Sequence, residues 1–272
     1  MGFRDNFKDK KRIVVKVGTS TLSYSNGRIN FQRIERLSYV LSAIRSKDID
    51  VILVSSGAIG VGAGRLGLKE RPTELAKKQA LAAVGQAELI KIYQKFFEDY
   101  NQTVAQILLT KDIMTQPERY QNAKNTILKL LGMKIIPIIN ENDTISTDEI
   151  EFGDNDTLSA NVATLIDADL LILLSDIDGL YSSDPKINSS AEIIRTIEEI
   201  TPEIENLASG AGSSFSTGGM ITKIVAAKNC IEAGIDTIIT SGNEPSVIFD
   251  VLEGKEIGTH FVAKKKEVIL KS

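Results

Sequence analysis

Two lysines in small-residue settings are the first sign of chemistry. Lys16 lies in Val15-Lys16-Val17-Gly18-Thr19-Ser20, at the end of an apolar run. A cation there stands at the carboxyl edge of a strand, and in open α/β sheets ligands bind just outside that edge. Gly18 lets the backbone approach a ligand, and Thr19 and Ser20 add hydroxyl donors. The plain alternative is a strand-end lysine whose ammonium reaches back to solvent. Lys223 closes Thr217-Gly218-Gly219-Met220-Ile221-Thr222-Lys223. A Gly-Gly helix start with a lysine one turn inside offers N–H donors and a cation to phosphate oxygens. The pattern G-x4-G-K-[ST] is absent, which excludes an ordinary P-loop.

Three further segments sit where strands should end. Ser55-Ser56-Gly57-Ala58-Ile59-Gly60 follows Val51–Val54, a strand–turn–helix order that converges backbone N–H groups on an anion. Its continuation, Gly62 to Gly67, spells G-x-G-x-x-G but begins eight residues beyond Val54, and the region where an acidic ribose ligand should follow reads as helix around Glu88. A dinucleotide site is therefore rejected, and these glycines are read as close helix packing. Asn140-Glu141-Asn142-Asp143-Thr144 follows Ile135–Ile139 and suits a small polar ligand, especially one with an amino group, or else a hydrogen-bonded turn. Ser175-Asp176-Ile177-Asp178-Gly179-Leu180-Tyr181 follows Leu170–Leu174; Asp178-Gly179 signals a turn, and Tyr181 is placed to lie against a flat ring. Between them, Phe152-Gly153-Asp154-Asn155-Asp156-Thr157 sets two carboxylates around an Asn before an apolar helix. On this motif alone Asn155 or Asp156 reads as a helix N-cap. The EF-hand calcium pattern is absent.

These residues need a frame. Ile13–Val17, Val51–Val54, Val104–Leu109, Ile135–Ile139, Leu170–Leu174 and Thr237–Thr240 are short blocks rich in Ile, Leu and Val. Most do not alternate polar with apolar, as befits strands buried on both faces of a parallel sheet. Helical spacing fills the intervals. Asn30 can cap a helix carrying Phe31, Ile34, Leu37, Leu41 and Ile44, and further helices are expected over Glu74–Tyr100, Arg119–Leu131, Thr157–Asp167, Gly218–Ala233 and Ser246–Leu252. The β-α-β-α order predicts a three-layer α/β/α sandwich with a mainly parallel central sheet. No linker or repeat divides the chain, so one domain over 1–272 is expected. The Ala80–Phe97 stretch either packs within the domain or meets a second subunit. Gly258–Val262 and Val268–Leu270 read as a terminal hairpin around a basic turn.

Composition removes whole classes. There are 32 Lys and Arg against 36 Asp and Glu, a net charge of −4, which disfavours a protein that works by neutralising nucleic-acid phosphates. One cysteine, Cys230, and one histidine, His260, leave no intrachain disulfide, no Cys-rich zinc site and no His-based metal cage. No signal peptide or membrane span is recognisable, so a cytoplasmic setting is the default.

Two lysines, a carboxylate and Gly/Ser-rich turns on one sheet edge match what phosphoryl transfer requires, namely positioning and charge neutralisation. The motifs VKVGTS, SSGAIGVG, NENDT, FGDNDTLSA, LSDIDGLY and STGGMITK occur in order between Val14 and about Phe261. Together they resemble the amino-acid kinase superfamily. FGDNDTLSA and NENDT point to the branch that phosphorylates glutamate, over relatives acting on acetylglutamate, aspartate or uridylate.

The resemblance implies ATP-dependent phosphorylation of the L-glutamate γ-carboxylate to L-glutamyl 5-phosphate, the first step of proline biosynthesis. It implies that Lys16 and Lys223 straddle the phosphoryl group and that Asp156 orients both. Ser56, Gly57, Ala58, Asp143, Asp154 and Asn155 would serve glutamate. Lys16, Ser175, Asp176, Tyr181, Thr217, Gly218, Gly219, Met220 and Lys223 would line the ATP site, with Mg²⁺ carried on the ATP phosphates. Feedback inhibition by proline and a homo-oligomer, dimer or tetramer, are implied as well. Many bacterial members carry a C-terminal PUA-type domain, and the expectation here is a kinase domain without it. The rivals are another kinase of the superfamily, a non-catalytic sensor that keeps the fold, and an RNA-binding protein.

Overall fold

The computed structural model describes residues 3–24, 27–68, 72–146, 155–210 and 219–264. Its elements run β1 (Arg12–Val17), α1 (Thr19–Leu22), α2 (Phe31–Arg45), β2 (Asp50–Ser55), α3 (Ala58–Arg65), α4 (Leu75–Glu98), β3 (Val104–Leu109), α5 (Pro117–Gly132), β4 (Ile136–Glu141), α6 (Asn155–Leu165), β5 (Leu170–Ser175), β6 (Thr196–Ile197), α7 (Pro202–Gly210), α8 (Met220–Glu232), β7 (Asp236–Ser241), α9 (Val247–Leu252) and β8 (Thr259–Phe261). The eight strands form one sheet in the order β3-β4-β2-β1-β5-β7-β8-β6. All neighbours are parallel except β7 and β8.

Strand parity divides the core into two layers. Ile13, Val15, Val17, Val51, Leu53, Leu170, Ile172 and Leu174 pack with α2, α4 and α9. Val14, Ile52, Val54, Leu171 and Leu173 face the opposite way, onto α5, α6 and α8. Successive side chains of a strand alternate faces, so Lys16 shares the face of Val14 and is directed toward α6 and α8. That one consequence of register positions the site.

Helix α2 begins as its sequence predicts, with the Asn30 side chain accepting from the Arg33 N–H at 3.0 Å. Ile34, Leu37, Leu41 and Ile44 are buried, whereas Phe31 is 53% exposed, its ring centroid 6.5 Å from that of Phe96 at a tilt of 58°. As the first residue of the helix, Phe31 is not among the residues of the core layer that takes in the other four. Strand β3 is also less buried than a continuous apolar block predicts, because it is an edge strand. Helix α4 packs within the domain: Leu81, Ala82, Gly85, Leu89, Tyr93 and Phe97 are inward, and Ala83 is exposed. Helix α7 was not marked by its sequence. Segment Thr259–Phe261 is not seen as one arm of a hairpin. It pairs antiparallel with β7 and parallel with β6, while Val268–Leu270 lies outside the described residues.

At the amino edge of the sheet, Asp236 collects Lys10 Nζ at 2.7 Å, His260 Nε2 at 2.8 Å and the Ala263 N–H at 3.0 Å. Burial alone would raise the pKa of this carboxyl group, but those partners hold it at about 2. A carboxylate depressed below its unfolded value stabilises the fold fully above about pH 4 and loses that contribution as pH falls toward 2. Asp236→Asn should therefore lower the melting temperature at pH 7 by about 3–6 °C. The gap between variant and parent should narrow below pH 4 in a thermal-melt series; a gap that holds constant from pH 7 to pH 3 would exclude this origin.

Candidate active site

Asp156 is the centre of the carboxyl edge. It occupies the first turn of α6, where the helix dipole favours a negative charge, and its side chain is 1% exposed. Lys16 Nζ lies 2.7 Å from Oδ1, and Lys223 Nζ lies 3.1 Å from Oδ2. Thr222 Oγ1 is 2.8 Å from the same Oδ2. Burial acts to raise the Asp156 pKa, but Lys16, Lys223 and the Thr222 hydrogen bond outweigh it and hold it at about 2. Asp156 is therefore an anion at any physiological pH, and it holds one lysine on each of its oxygens. Lys16 curls back over Gly18, where a Cβ would stand 3.7 Å from its Nζ.

Asn155 works on the other side. Its Nδ2 lies 2.9 Å from each of Ser55 O, Ser56 Oγ and Asn140 Oδ1, and the residue is 1% exposed. It thereby joins the ends of β2 and β4 to the start of α6. Asn155 does not spend its side chain on capping its own helix, contrary to one plain reading of the motif. Among the described residues, Asn140 Nδ2 and Asn155 Oδ1 are buried without a hydrogen-bond partner, the kind of group a polar ligand satisfies. Asp143, 3% exposed, follows the end of β4 at the same rim.

The turn after β2 is built for close approach. The Ser56 N–H donates to Val17 O at 3.2 Å, and Gly57 adopts φ +97°, a left-handed conformation that side-chain-bearing residues rarely take. Gly57 and Ala58 then open α3. Ser175 ends β5 beneath the rim, bonding the exposed Asp176 at 3.1 Å. Tyr181 is held by Asp178 Oδ1 at 2.8 Å and by a bridge to Ile193. Its described contacts thus lie on the excursion after β5 and not with the lysines. Gly219 caps α8, and Met220 is 7% exposed within the α6–α8 core layer. Asp154, Thr217 and Gly218 lie outside the described residues.

Thr222 and Asn140 were present in the motifs but carried no role. Adjacency to Lys223 was a signal for the first. For the second, nothing local predicts that a strand-end Asn meets Asn155. Among the described residues there is no cluster of three or more metal-ligating His, Cys, Asp or Glu, and no helix is long and apolar enough to cross a membrane.

Fold and site define an open α/β protein whose sheet edge offers paired lysines and helix N-termini to an anionic ligand. The profile of the amino acid kinase family matches residues 11–241. The chain is 55% identical to a glutamate 5-kinase of Clostridium perfringens over 268 residues, covering 97% of this chain and 100% of the relative. It is 53% identical to one of Listeria monocytogenes, covering 97% of each. In structure it resembles carbamate kinase from Giardia lamblia bound to AMP-PNP (TM-score 0.66, 17% identity, 94% of this chain and 100% of that one). It also resembles UMP kinase from Bacillus anthracis (TM-score 0.60, 17% identity, 93% of this chain and 96% of that one). The chain belongs to the amino acid kinase family and, within it, to the glutamate 5-kinases.

Proposed function

We propose that the chain transfers the γ-phosphoryl group of ATP to the γ-carboxylate of L-glutamate, giving L-glutamyl 5-phosphate and ADP, the first step of proline biosynthesis. The observation that carries this is the pair of lysines on opposite oxygens of the buried Asp156. A glutamate side chain has a pKa of about 4.3 and is already ionised at pH 7, so no general base is needed. Its carboxylate oxygen forms a bond to the γ-phosphorus as the bond to the β–γ bridging oxygen breaks, and ADP leaves with that electron pair. No proton moves. The obstacle is repulsion between two anions, and Lys16 and Lys223 oppose it electrostatically from positions set before the substrates meet.

Glutamate is held in this scheme by the N–H groups of Gly57 and Ala58 and the hydroxyl of Ser56 at a carboxylate, with Asp143 facing the ammonium and Asn155 tying the two together. Asp154 adds a contact. ATP lies along Ser175, Asp176, Tyr181 and the start of α8 from Thr217 to Lys223. Mg²⁺ suits this donor set as an ion carried on the ATP phosphates, with oxygen ligands from phosphate and water; when bound it offsets phosphate charge. Proline acts as a feedback inhibitor overlapping the glutamate position, in a cytoplasmic, homo-oligomeric, single-domain enzyme.

ADP release with L-glutamate, aspartate, N-acetylglutamate, carbamate and UMP tests the reading. Glutamate should dominate, and equal or faster turnover of any competitor defeats it. Added proline should depress the rate in competition with glutamate. Asn155→Ala should raise the KM for glutamate by roughly 10- to 100-fold, the scale of lost buried hydrogen bonds to a charged ligand, with the KM for ATP changed far less. Equal loss for both substrates would place Asn155 outside the glutamate site.

A further inference from the structure

Tyr93 has no task in the scheme above. It lies on α4, fully buried, with its ring in the apolar layer between that helix and the sheet. Its hydroxyl is 2.9 Å from Ser55 Oγ, and among the described residues this is the one hydrogen bond it makes. Ser55 Oγ in turn donates to the Ser56 carbonyl oxygen at 3.3 Å. A hydroxyl carries one proton, so with the Ser55 proton on Ser56 O the phenol is the donor of the 2.9 Å bond. The reverse order would leave a buried phenolic proton without an acceptor. Burial also pushes the Tyr93 pKa above its ordinary value, which keeps that proton in place. The bonds therefore run from Tyr93 O–H to Ser55 Oγ–H to Ser56 C=O.

That carbonyl belongs to the peptide that carries the Gly57 N–H, and in a trans peptide the two point in opposite directions. Parity along β2 sets Ser55 on the face of Val51 and Leu53, under α4. Drawing the Ser56 carbonyl toward this layer turns the Gly57 N–H away from it. Gly57 stands at φ +97°, and a glycine accepts the flipped peptide about as readily, having no Cβ to forbid either sign of φ. A side chain must choose between the two orientations, and the Ser55 hydroxyl is placed to do so. We propose that Ser55 and Tyr93 are positioning residues for glutamate: the Tyr93 hydroxyl fixes the Ser55 hydroxyl, which holds the Ser56–Gly57 peptide with its N–H turned to a substrate carboxylate. The proposal rests on the glutamate-kinase reading. No proton changes owner and nothing covalent occurs.

Ser55→Ala removes the hydroxyl that holds the carbonyl, and Tyr93→Phe removes only the group that orients it. Asn155 keeps its partner in both, because it bonds the Ser55 backbone oxygen. Ser55→Ala should raise the KM for glutamate roughly 5- to 15-fold and Tyr93→Phe about 3- to 5-fold, the scale of one neutral hydrogen bond, with kcat and the KM for ATP within about twofold. The double variant should be no worse than Ser55→Ala, because the phenol acts only through that serine. Calorimetric titration with glutamate should rank the affinities in the same order. A role confined to packing would lower the melting temperature and leave glutamate affinity alone. That result, a KM rise shared equally by ATP, or losses that multiply in the double variant overturns the proposal. Should Ser55→Ala not fold, Tyr93→Phe decides alone by its glutamate affinity against its ATP affinity. The unaltered chain runs alongside on the panel of acceptors: if it prefers another, the glutamate reading falls, and the KM for that acceptor in Tyr93→Phe still decides the role of the hydroxyl.

Discussion

Lys223→Ala should lower kcat by about 10²–10³-fold while the KM for glutamate stays within a few-fold, the signature of an interaction made mainly in the transition state. Lys223 meets Asp156 from α8, and the residues that hold glutamate in our scheme come from β2, β4 and α6. Substrate binding therefore has little reason to change. Folding should survive, because Asp156 keeps Lys16 at 2.7 Å and Thr222 at 2.8 Å. Lys16→Ala should produce a loss of similar size. The double variant should lose far less than the product of the two, since both lysines act on one carboxylate and one phosphoryl group. Steady-state ADP release measures all three. A Lys223→Ala enzyme within tenfold of the parent in a clean preparation would remove that lysine from the mechanism. Asp156 itself should contribute no acid limb to the rate above about pH 4. Its pKa lies near 2, and its stabilising charge is lost only as pH falls toward that value.

Gly85→Ala should be the most destabilising small change in the molecule away from the site. A Cβ at Gly85 would stand 1.7 Å from Ala58 O and 2.8 Å from the Gly62 nitrogen; one at Gly62 would stand 2.0 Å from Leu81 O. The backbones of α3 and α4 are in direct contact through this glycine pair, and backbone cannot rotate aside. Forced separation should cost roughly 3 kcal/mol, the upper part of the overpacking range. In a chain of this size that is a fall of roughly 6–12 °C in melting temperature. The effect should also reach catalysis. Ala58 O is the atom displaced, and Ala58 opens the helix that presents the Ser56-Gly57 turn, so the KM for glutamate should rise. Gly64 supplies the control, because a Cβ there meets nothing within 4 Å. Gly64→Ala should be neutral or stabilising by up to about 1 kcal/mol. Melting curves decide it: a Gly85→Ala protein that melts with the Gly64→Ala protein would show that the helices slide apart at no cost.

The glycine run at 62–67 illustrates where linear reading stops. Its distance from the strand end was enough to reject a dinucleotide site, and close packing was the remaining sense. The partner, Gly85, lies a whole helix away, and only the α3–α4 contact identifies it. Asp236 is another case: Lys10, His260 and Ala263 come from both ends of the chain. Phe31 obeyed the helical period and still lies outside, since period describes a face and not where the neighbouring layer ends.

Apolar blocks locate six of the eight strands to within about two residues, because strands covered on both faces must be apolar along their whole length and the desolvation of peptide groups demands that they pair; the two-residue β6 (Thr196–Ile197) carries no such block. The same chain chemistry sets out small-residue turns, two lysines and a carboxylate, each with an ordinary alternative beside it. What converts them into one site is register. Parity along β1 turns Lys16 toward the α6–α8 layer, parallel order brings the strand ends to one rim, and the first turns of two helices deliver Asp156, Thr222 and Lys223 to it. Hydrogen-bond geometry between residues far apart in the chain depends on how whole layers stack, and no local pattern of side chains encodes that distance.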